Sequence, residues 1–129
     1  GTDLRVSGEY RHRETVEGLP GEWTYAFRDK KLAWYVFNAY EDEISREKFD
    51  QCRAAADFLI ERYRKLYGPP DRTTQGLTEF ADPAAAAHTG YEVLSAEWQR
   101  PEESTSVRFS FIGDGLKYSF LVTVEGKRP

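Results

Sequence analysis

The segment from Ser45 to Pro70 constrains the fold most, because it contains the start, the apolar stripe and the end of one long helix. Ser45 can cap the first turn with its hydroxyl, and Gly68, followed by two prolines, ends the helix. Between them, apolar residues recur at spacings of three and four, which places them on one helix face: Phe49, Cys52, Ala56, Leu59, Tyr63 and Leu66. We expect a helix over Ser45–Tyr67 that buries this face.

Alternating, aromatic-rich segments precede the predicted helix. Trp23–Phe27 places its rings on one face of a strand. Leu32–Tyr40 differs because it is apolar on both faces, as a central strand covered on two sides would be. The polar stretch between the two segments predicts a hairpin.

A strand meander is predicted after the helix, over Tyr91–Gln99, Val107–Phe111 and Leu116–Val124. Gly113-Asp114-Gly115 is a strong hairpin signal between the last two strands. Asp82–His88 predicts a short helix, with aspartate at the cap and proline at the first position.

Together these elements predict one α+β domain over residues 1–129, a length typical of a single domain. The expected architecture is a curved antiparallel sheet of five to six strands packed on one long helix. Its order would be β-β-β-α-(short α)-β-β-β, with Arg72–Phe80 as a loop.

Composition narrows the classes of partner. A net charge of −4 gives no general attraction to phosphate backbones, so nucleic acid is not an expected partner. The sequence has no apolar run of about 18 residues, so we expect no membrane span. It begins Gly1-Thr2 and contains no methionine, as a processed or truncated segment would, which slightly favours an exported over a cytoplasmic location.

The sequence presents few chemical candidates, and we predict no catalytic residue, cofactor or metal. His12 lies between Arg11 and Arg13, either as a small anion-binding patch or as a charged strand edge that deters pairing, which we favour. His88 would end the short helix, where a cation is favourable. Cys52 belongs to the apolar stripe, so we expect an inert, buried thiol.

Acidic residues have simple structural explanations. Glu41-Asp42-Glu43 could ligate a hard cation, but its position before the helix favours an electrostatic role at the helix entrance. Glu97, Glu102 and Glu103, near a predicted turn, are expected on the solvated surface.

Apolar surface is the remaining clue to function. Alternation places Tyr35, Phe37 and Tyr91 opposite Trp34 and Leu94, so some rings are expected on the sheet face away from the helix. The first hypothesis is a non-catalytic module that binds a protein, or a second copy of itself, through an aromatic sheet face or an edge strand. Its candidate binding residues are Trp23, Trp34, Tyr35, Phe37, Tyr91 and Trp98.

Two other classes stay open. One is a carrier that encloses a small apolar ligand between sheet and helix, lined by Trp23, Trp34 and Trp98. The other is a small hydrolase or isomerase that uses His88 or His12 with a nearby carboxylate.

Tyr67-Gly68-Pro69-Pro70 at the end of the helix and Trp98 in the following strand resemble a class of small exported bacterial domains of unknown function. In that class a strand hairpin leads into a long helix, and a Trp-containing hairpin follows. The resemblance covers about Trp23 to Val124. It implies an envelope or secreted location and a binding role, and it supplies no catalytic residues.

Overall fold

The computed structural model describes residues 8–76, 92–114 and 117–128. In these ranges it contains seven strands and one helix: β1 Gly8–Val16, β2 Leu19–Arg28, β3 Lys31–Glu41, α1 Arg46–Tyr67, β4 Arg72–Gln75, β5 Glu92–Arg100, β6 Glu103–Asp114 and β7 Lys117–Lys127. The chain is therefore α+β, as predicted, and consists mostly of sheet.

The helix begins and ends where the sequence predicts. The Ser45 hydroxyl accepts a hydrogen bond from the Lys48 backbone N–H at 3.2 Å, which satisfies one donor of the first turn. At the other end Gly68 has φ of +86°, and its N–H donates to the Arg64 carbonyl at 2.8 Å. Local capping chemistry therefore sets both ends of α1.

All seven strands form one antiparallel sheet in the order β1-β2-β3-β7-β6-β5-β4. The strands before the helix make one half of the sheet and those after it make the other half. The two halves join where β3 pairs with β7, for example at Phe37 and Val124.

Tight turns set the register of the first two hairpins. Glu17 and Gly18 connect β1 to β2, and Asp29 and Lys30 connect β2 to β3. All four residues have positive φ, which is the signature of the turns that match the twist of a hairpin.

The helix lies on one face of the sheet, mainly over β6 and β7. Small buried residues, Cys52, Ala55 and Ala56, let α1 approach the strands closely. Near the helix start the Phe49 ring packs on Phe109 at a centroid distance of 5.3 Å. The core is therefore built from aromatic rings on the strands and small or aromatic side chains on the helix.

The structure differs from the sequence-based expectations in the number of strands and in the face that the β3 rings occupy. Within the described ranges the sheet has seven strands, not five to six, because Arg72–Gln75 forms β4 instead of a loop. Tyr35 and Phe37 do lie opposite Trp34, but they are buried on the helix face, and Trp34 occupies the far face. The predicted short helix Asp82–His88 and the turn residue Gly115 lie outside the described residues.

Candidate functional site

A ladder of aromatic rings crosses the first two strands on the helix face of the sheet. Tyr10 and His12 stand on β1, and Trp23 and Tyr25 stand on β2. The His12 ring is nearly parallel to Tyr25, with centroids 5.5 Å apart, and to Trp23, at 6.5 Å. The Tyr10 ring lies 6.2 Å from Tyr25 and ends the series. We call these four residues the ring ladder.

The ring ladder runs from the core to solvent. Trp23 is buried and packs on Phe37 at 5.0 Å, whereas Tyr25 and His12 are half-buried and Tyr10 is 60% exposed. Aromatic rings bury large areas in cores and in interfaces, so an exposed continuation of core rings offers a partner a rigid apolar contact.

An ion pair joins the ring ladder to the helix. Arg62 donates two hydrogen bonds to the Glu14 carboxylate, at 3.1 and 2.7 Å, and the Trp23 indole N–H donates to the same carboxylate at 2.8 Å. The hydrogen bonds from Arg62 hold the pKa of Glu14 below its ordinary value, against the opposing effect of burial. Glu14 therefore stays ionised and fixes β1 against α1.

The adjoining flank of α1 is apolar and open. The Arg62 guanidinium lies over the Phe58 ring, 5.3 Å from its centroid. Phe58 is 45% exposed, and Leu66, one turn beyond Arg62, is 65% exposed. Together with Glu61 and Lys65, these residues line a shallow cavity of about 450 Å³. We call the ring ladder, the Glu14–Arg62 pair and this flank the aromatic surface.

The aromatic surface lies at a border of the sheet. In the described part of the chain, β1 pairs with a strand on one side only. Arg11 and Arg13 are exposed on its other face, where they would repel a second strand that carries positive charges. Among the described residues, β1 therefore combines exposed rings with main-chain groups that face the border of the sheet.

Among the candidate binding residues chosen from the sequence, three come together inside the core: the Trp23 ring lies 6.2 Å from Tyr35 and 5.0 Å from Phe37. Trp23, Tyr35, Phe37 and Trp98 are buried on the helix face, and Tyr91 lies outside the described residues. Trp34 is half-buried on the opposite face of the sheet. Trp34 therefore cannot line one cavity with Trp23 and Trp98, which corrects the cavity expected for a carrier.

Glu103 is the largest departure from the sequence analysis. It was expected on the surface but is only 6% exposed, at the end of the sheet beneath the helix C-terminus. Its Oε2 accepts hydrogen bonds from the hydroxyls of Tyr67 at 2.8 Å, Tyr35 at 3.2 Å and Thr105 at 3.2 Å. Arg128 approaches Oε1 at 3.4 Å. The sequence did contain a signal for this burial, because alternation places Glu103 on the same face of β6 as Thr105 and the apolar Val107.

The charge state of Glu103 follows from these donors. Burial is the largest single influence and alone would raise its pKa, but the hydrogen bonds together outweigh it, and the pKa lies below its ordinary value. Burial raises the pKa of Tyr35 in turn. An ionised carboxylate surrounded by neutral hydroxyls connects the helix end to the sheet, and every donor is a side chain of this chain.

The other chemical candidates are structural where they are described. Burial raises the pKa of the Cys52 thiol to about 12, so the reactive thiolate is suppressed. Glu41, at the end of β3, pairs at 3.3 Å with Lys48 in the first turn of the helix. His12 belongs to the ring ladder, and His88 lies outside the described residues.

The described residues contain neither a cluster of metal-ligating side chains nor a helix that could cross a membrane. No group of three or more His, Cys, Asp or Glu side chains there is arranged to hold a metal ion. The helix found there is not long and apolar enough to cross a membrane.

Comparisons with protein-family models, with curated proteins and with solved structures gave no significant match. The case for function therefore depends on the geometry of the chain itself.

Proposed function

We propose that this chain is a non-catalytic interaction module that binds an extended segment of a partner protein along β1. The observation that carries the proposal is that the exposed end of the ring ladder stands on an edge strand. Tyr10 and His12 project from β1 on the face that α1 borders, and the outer edge of β1 carries main-chain donors and acceptors.

The partner segment would add to the sheet as a further strand beside β1, and this mode of binding gives both affinity and specificity. Main-chain hydrogen bonds to β1 would supply affinity, and alternate side chains of the partner would meet the two faces of the sheet separately. On the helix face they would meet Tyr10 and His12, and on the other face Arg11 and Arg13.

These two faces define the chemistry of the partner. The rings favour apolar or aromatic side chains, and the nearby Phe58 and Leu66 extend the apolar contact onto α1. Arg13, together with Arg11, whose guanidinium lies 3.7 Å from the exposed Glu9 carboxylate, favours carboxylates at the intervening positions. The partner segment is therefore an extended peptide in which acidic and apolar residues alternate.

The Glu14–Arg62 pair supports the proposal because it makes the site rigid before binding. It attaches β1 to α1 with two hydrogen bonds, so the ring ladder and the helix flank keep a fixed relative position. Fixed contact groups lose less conformational entropy when a partner binds.

Selection from a random peptide display library on the whole chain tests the proposal. We expect enriched peptides that alternate acidic and apolar residues, and binding that falls at least about tenfold, or 1.4 kcal/mol, in the Tyr10→Ser and Arg11→Glu variants. Tyr40→Ser and Arg46→Glu are matched controls, because Tyr40 is 58% exposed on β3 and Arg46 is exposed at the helix start.

Three outcomes would count against this assignment. They are the absence of an enriched motif, peptides that bind Tyr10→Ser as tightly as the parent, and peptides that lose binding in Tyr40→Ser instead. Sedimentation velocity of the purified chain addresses self-association separately. A dimer that Tyr10→Ser dissociates would make β1 of a second copy the bound segment.

A further inference from the structure

The sheet face opposite the helix contains a polar trough along β6. Alternation places Ser104 and Ser106 on this face, and their short side chains form the floor. Longer side chains on the neighbouring strands form the walls: Glu97 and Gln99 from β5, and Glu125 and Lys127 from β7. The resulting cavity has a volume of about 180 Å³.

Cross-strand pairing fixes the positions of the walls. Ser106 pairs with Glu97 on one side and with Glu125 on the other, and Ser104 pairs with Gln99 and Lys127. Arg108 stands two residues further along β6 and donates to the Glu97 carboxylate at 2.9 Å. The trough is therefore a regular consequence of the register, with a serine between two long polar side chains in each row.

The lining carries no net charge. Glu97 and Glu125 contribute two carboxylates, and Arg108 and Lys127 contribute two cations. A phosphate or a metal ion would meet as many like charges as opposite ones. A neutral ligand with many hydroxyls is repelled by none of these charges. The carboxylates and hydroxyls of the lining can accept hydrogen bonds from it, and the amide and the cationic N–H groups can donate to it.

An apolar platform adjoins the trough. A second cavity, of about 270 Å³, is lined by Trp34 and Val36 of β3 and shares Glu125 and Lys127 with the first. Trp34 pairs with Lys127, so the indole lies in the same row of the sheet as Ser104. Small-molecule sites commonly combine aromatic contact surface with a few placed polar groups, and these neighbouring cavities provide both.

We propose that this face binds a neutral saccharide, with the apolar face of one sugar ring on Trp34, polar contacts to Glu125 and Lys127 beside it, and the hydroxyls of an adjoining sugar unit in the β6 trough. This site is separate from the aromatic surface, because it lies on the other face of the sheet. Its success or failure therefore does not depend on the function proposed for β1.

Titration of the ¹⁵N-labelled chain with D-glucose, D-galactose, N-acetyl-D-glucosamine and maltose tests the proposal. We expect saturable amide shifts at Ser104–Arg108 and Glu125–Lys127 with a dissociation constant of about 1 mM for the best sugar. Ser106→Gln, which fills the floor, should weaken binding at least about tenfold. Glu125→Ala, at an exposed wall position, should weaken sugar binding as well. It replaces Ser106→Gln as the test variant if Ser106→Gln fails to fold.

Ser110→Gln is the matched control, because it makes the same change on the same face of β6 beyond Arg108 and outside the trough. It should bind as the parent does. The proposal is overturned if no sugar gives saturable shifts, if inorganic phosphate gives larger shifts at these amides, or if Ser106→Gln and Ser110→Gln bind equally well.

Discussion

The Tyr35 ring lies so close to its cross-strand partner Gly126 that a β-carbon at position 126 would stand 2.0 Å from the ring's Cζ. Only glycine leaves room for the ring there. The contact directs the Tyr35 hydroxyl over the sheet toward Glu103 and Thr105. A glycine on β7 therefore decides whether the buried polar cluster can form.

Gly126→Ala should lower the free energy of unfolding by about 1–3 kcal/mol, because it over-packs the site beneath Tyr35. Urea denaturation measures the change. Gly8→Ala is the control, since a β-carbon at Gly8 meets nothing within 4 Å, and it should change stability by less than about 0.5 kcal/mol. In a Tyr35→Leu background the cost of Gly126→Ala should shrink. An unchanged cost there would mean that the glycine matters for another reason.

Glu103 should make the fold sensitive to acid. Its folded-state pKa lies below the ordinary value of 4.5, so its stabilising contribution is complete above that pH and is lost as the pH falls through the folded-state pKa. Glu103→Gln should cost about 1–3 kcal/mol at neutral pH, and this cost should diminish below pH 4.5. Glu102→Gln, on the exposed turn, is the control. A cost of Glu103→Gln that did not vary with pH would rule out the charged hydrogen bonds as its source.

Lys30 occupies an unfavourable backbone conformation. Its φ of +65° costs an ordinary L-residue about 1–2 kcal/mol relative to glycine, although the hairpin turn requires it. We therefore expect Lys30→Gly to raise the free energy of unfolding by about 1 kcal/mol. Lys31→Gly, one residue later and already in β3, should lower it. If both substitutions destabilised the chain equally, the turn would not be the cause.

Local signals made α1 predictable from the sequence. Ser45, Gly68 and the spacing of the stripe act within one or two turns of the residues that they control. Alternation likewise separated Tyr35 and Phe37 from Trp34. It could not show which of the two faces meets the helix, because that depends on pairing between β3 and β7, which are far apart in the chain.

The features that the sequence did not reveal depend on contacts between residues far apart in the chain. Arg72–Gln75 has no apolar alternation and is exposed, yet it forms β4 because it pairs with Glu97–Leu94 of β5. Glu103 resembles a turn residue until Tyr67 and Tyr35 are placed above it. The ring ladder required the register of β1 on β2, which sets His12 opposite Trp23. Composition alone carries none of this pairing information.

Cys52 should be unreactive in the folded chain. Burial raises the pKa of its thiol to about 12, so almost no thiolate exists at neutral pH, and the packed helix face blocks access. A disulfide reagent should modify it only as fast as the chain unfolds, and urea should accelerate the reaction. Modification at the rate of a free thiol without denaturant would contradict the buried position.

The Glu14–Arg62 pair offers a test of how firmly β1 is held against α1. Both side chains are about one-third exposed, so solvent screens the interaction, but Arg62 makes two hydrogen bonds to one carboxylate. A double-mutant cycle with Glu14→Gln and Arg62→Met should give a coupling energy of about 0.5–1 kcal/mol, reduced by added salt. The same cycle on the more exposed pair Glu61–Arg64 should give less. Equal coupling energies in the two cycles would mean that the ion pair does not fix β1 against α1. The hydrogen bond from the Trp23 indole to Glu14 would then be the remaining side-chain contact expected to hold Glu14 in place.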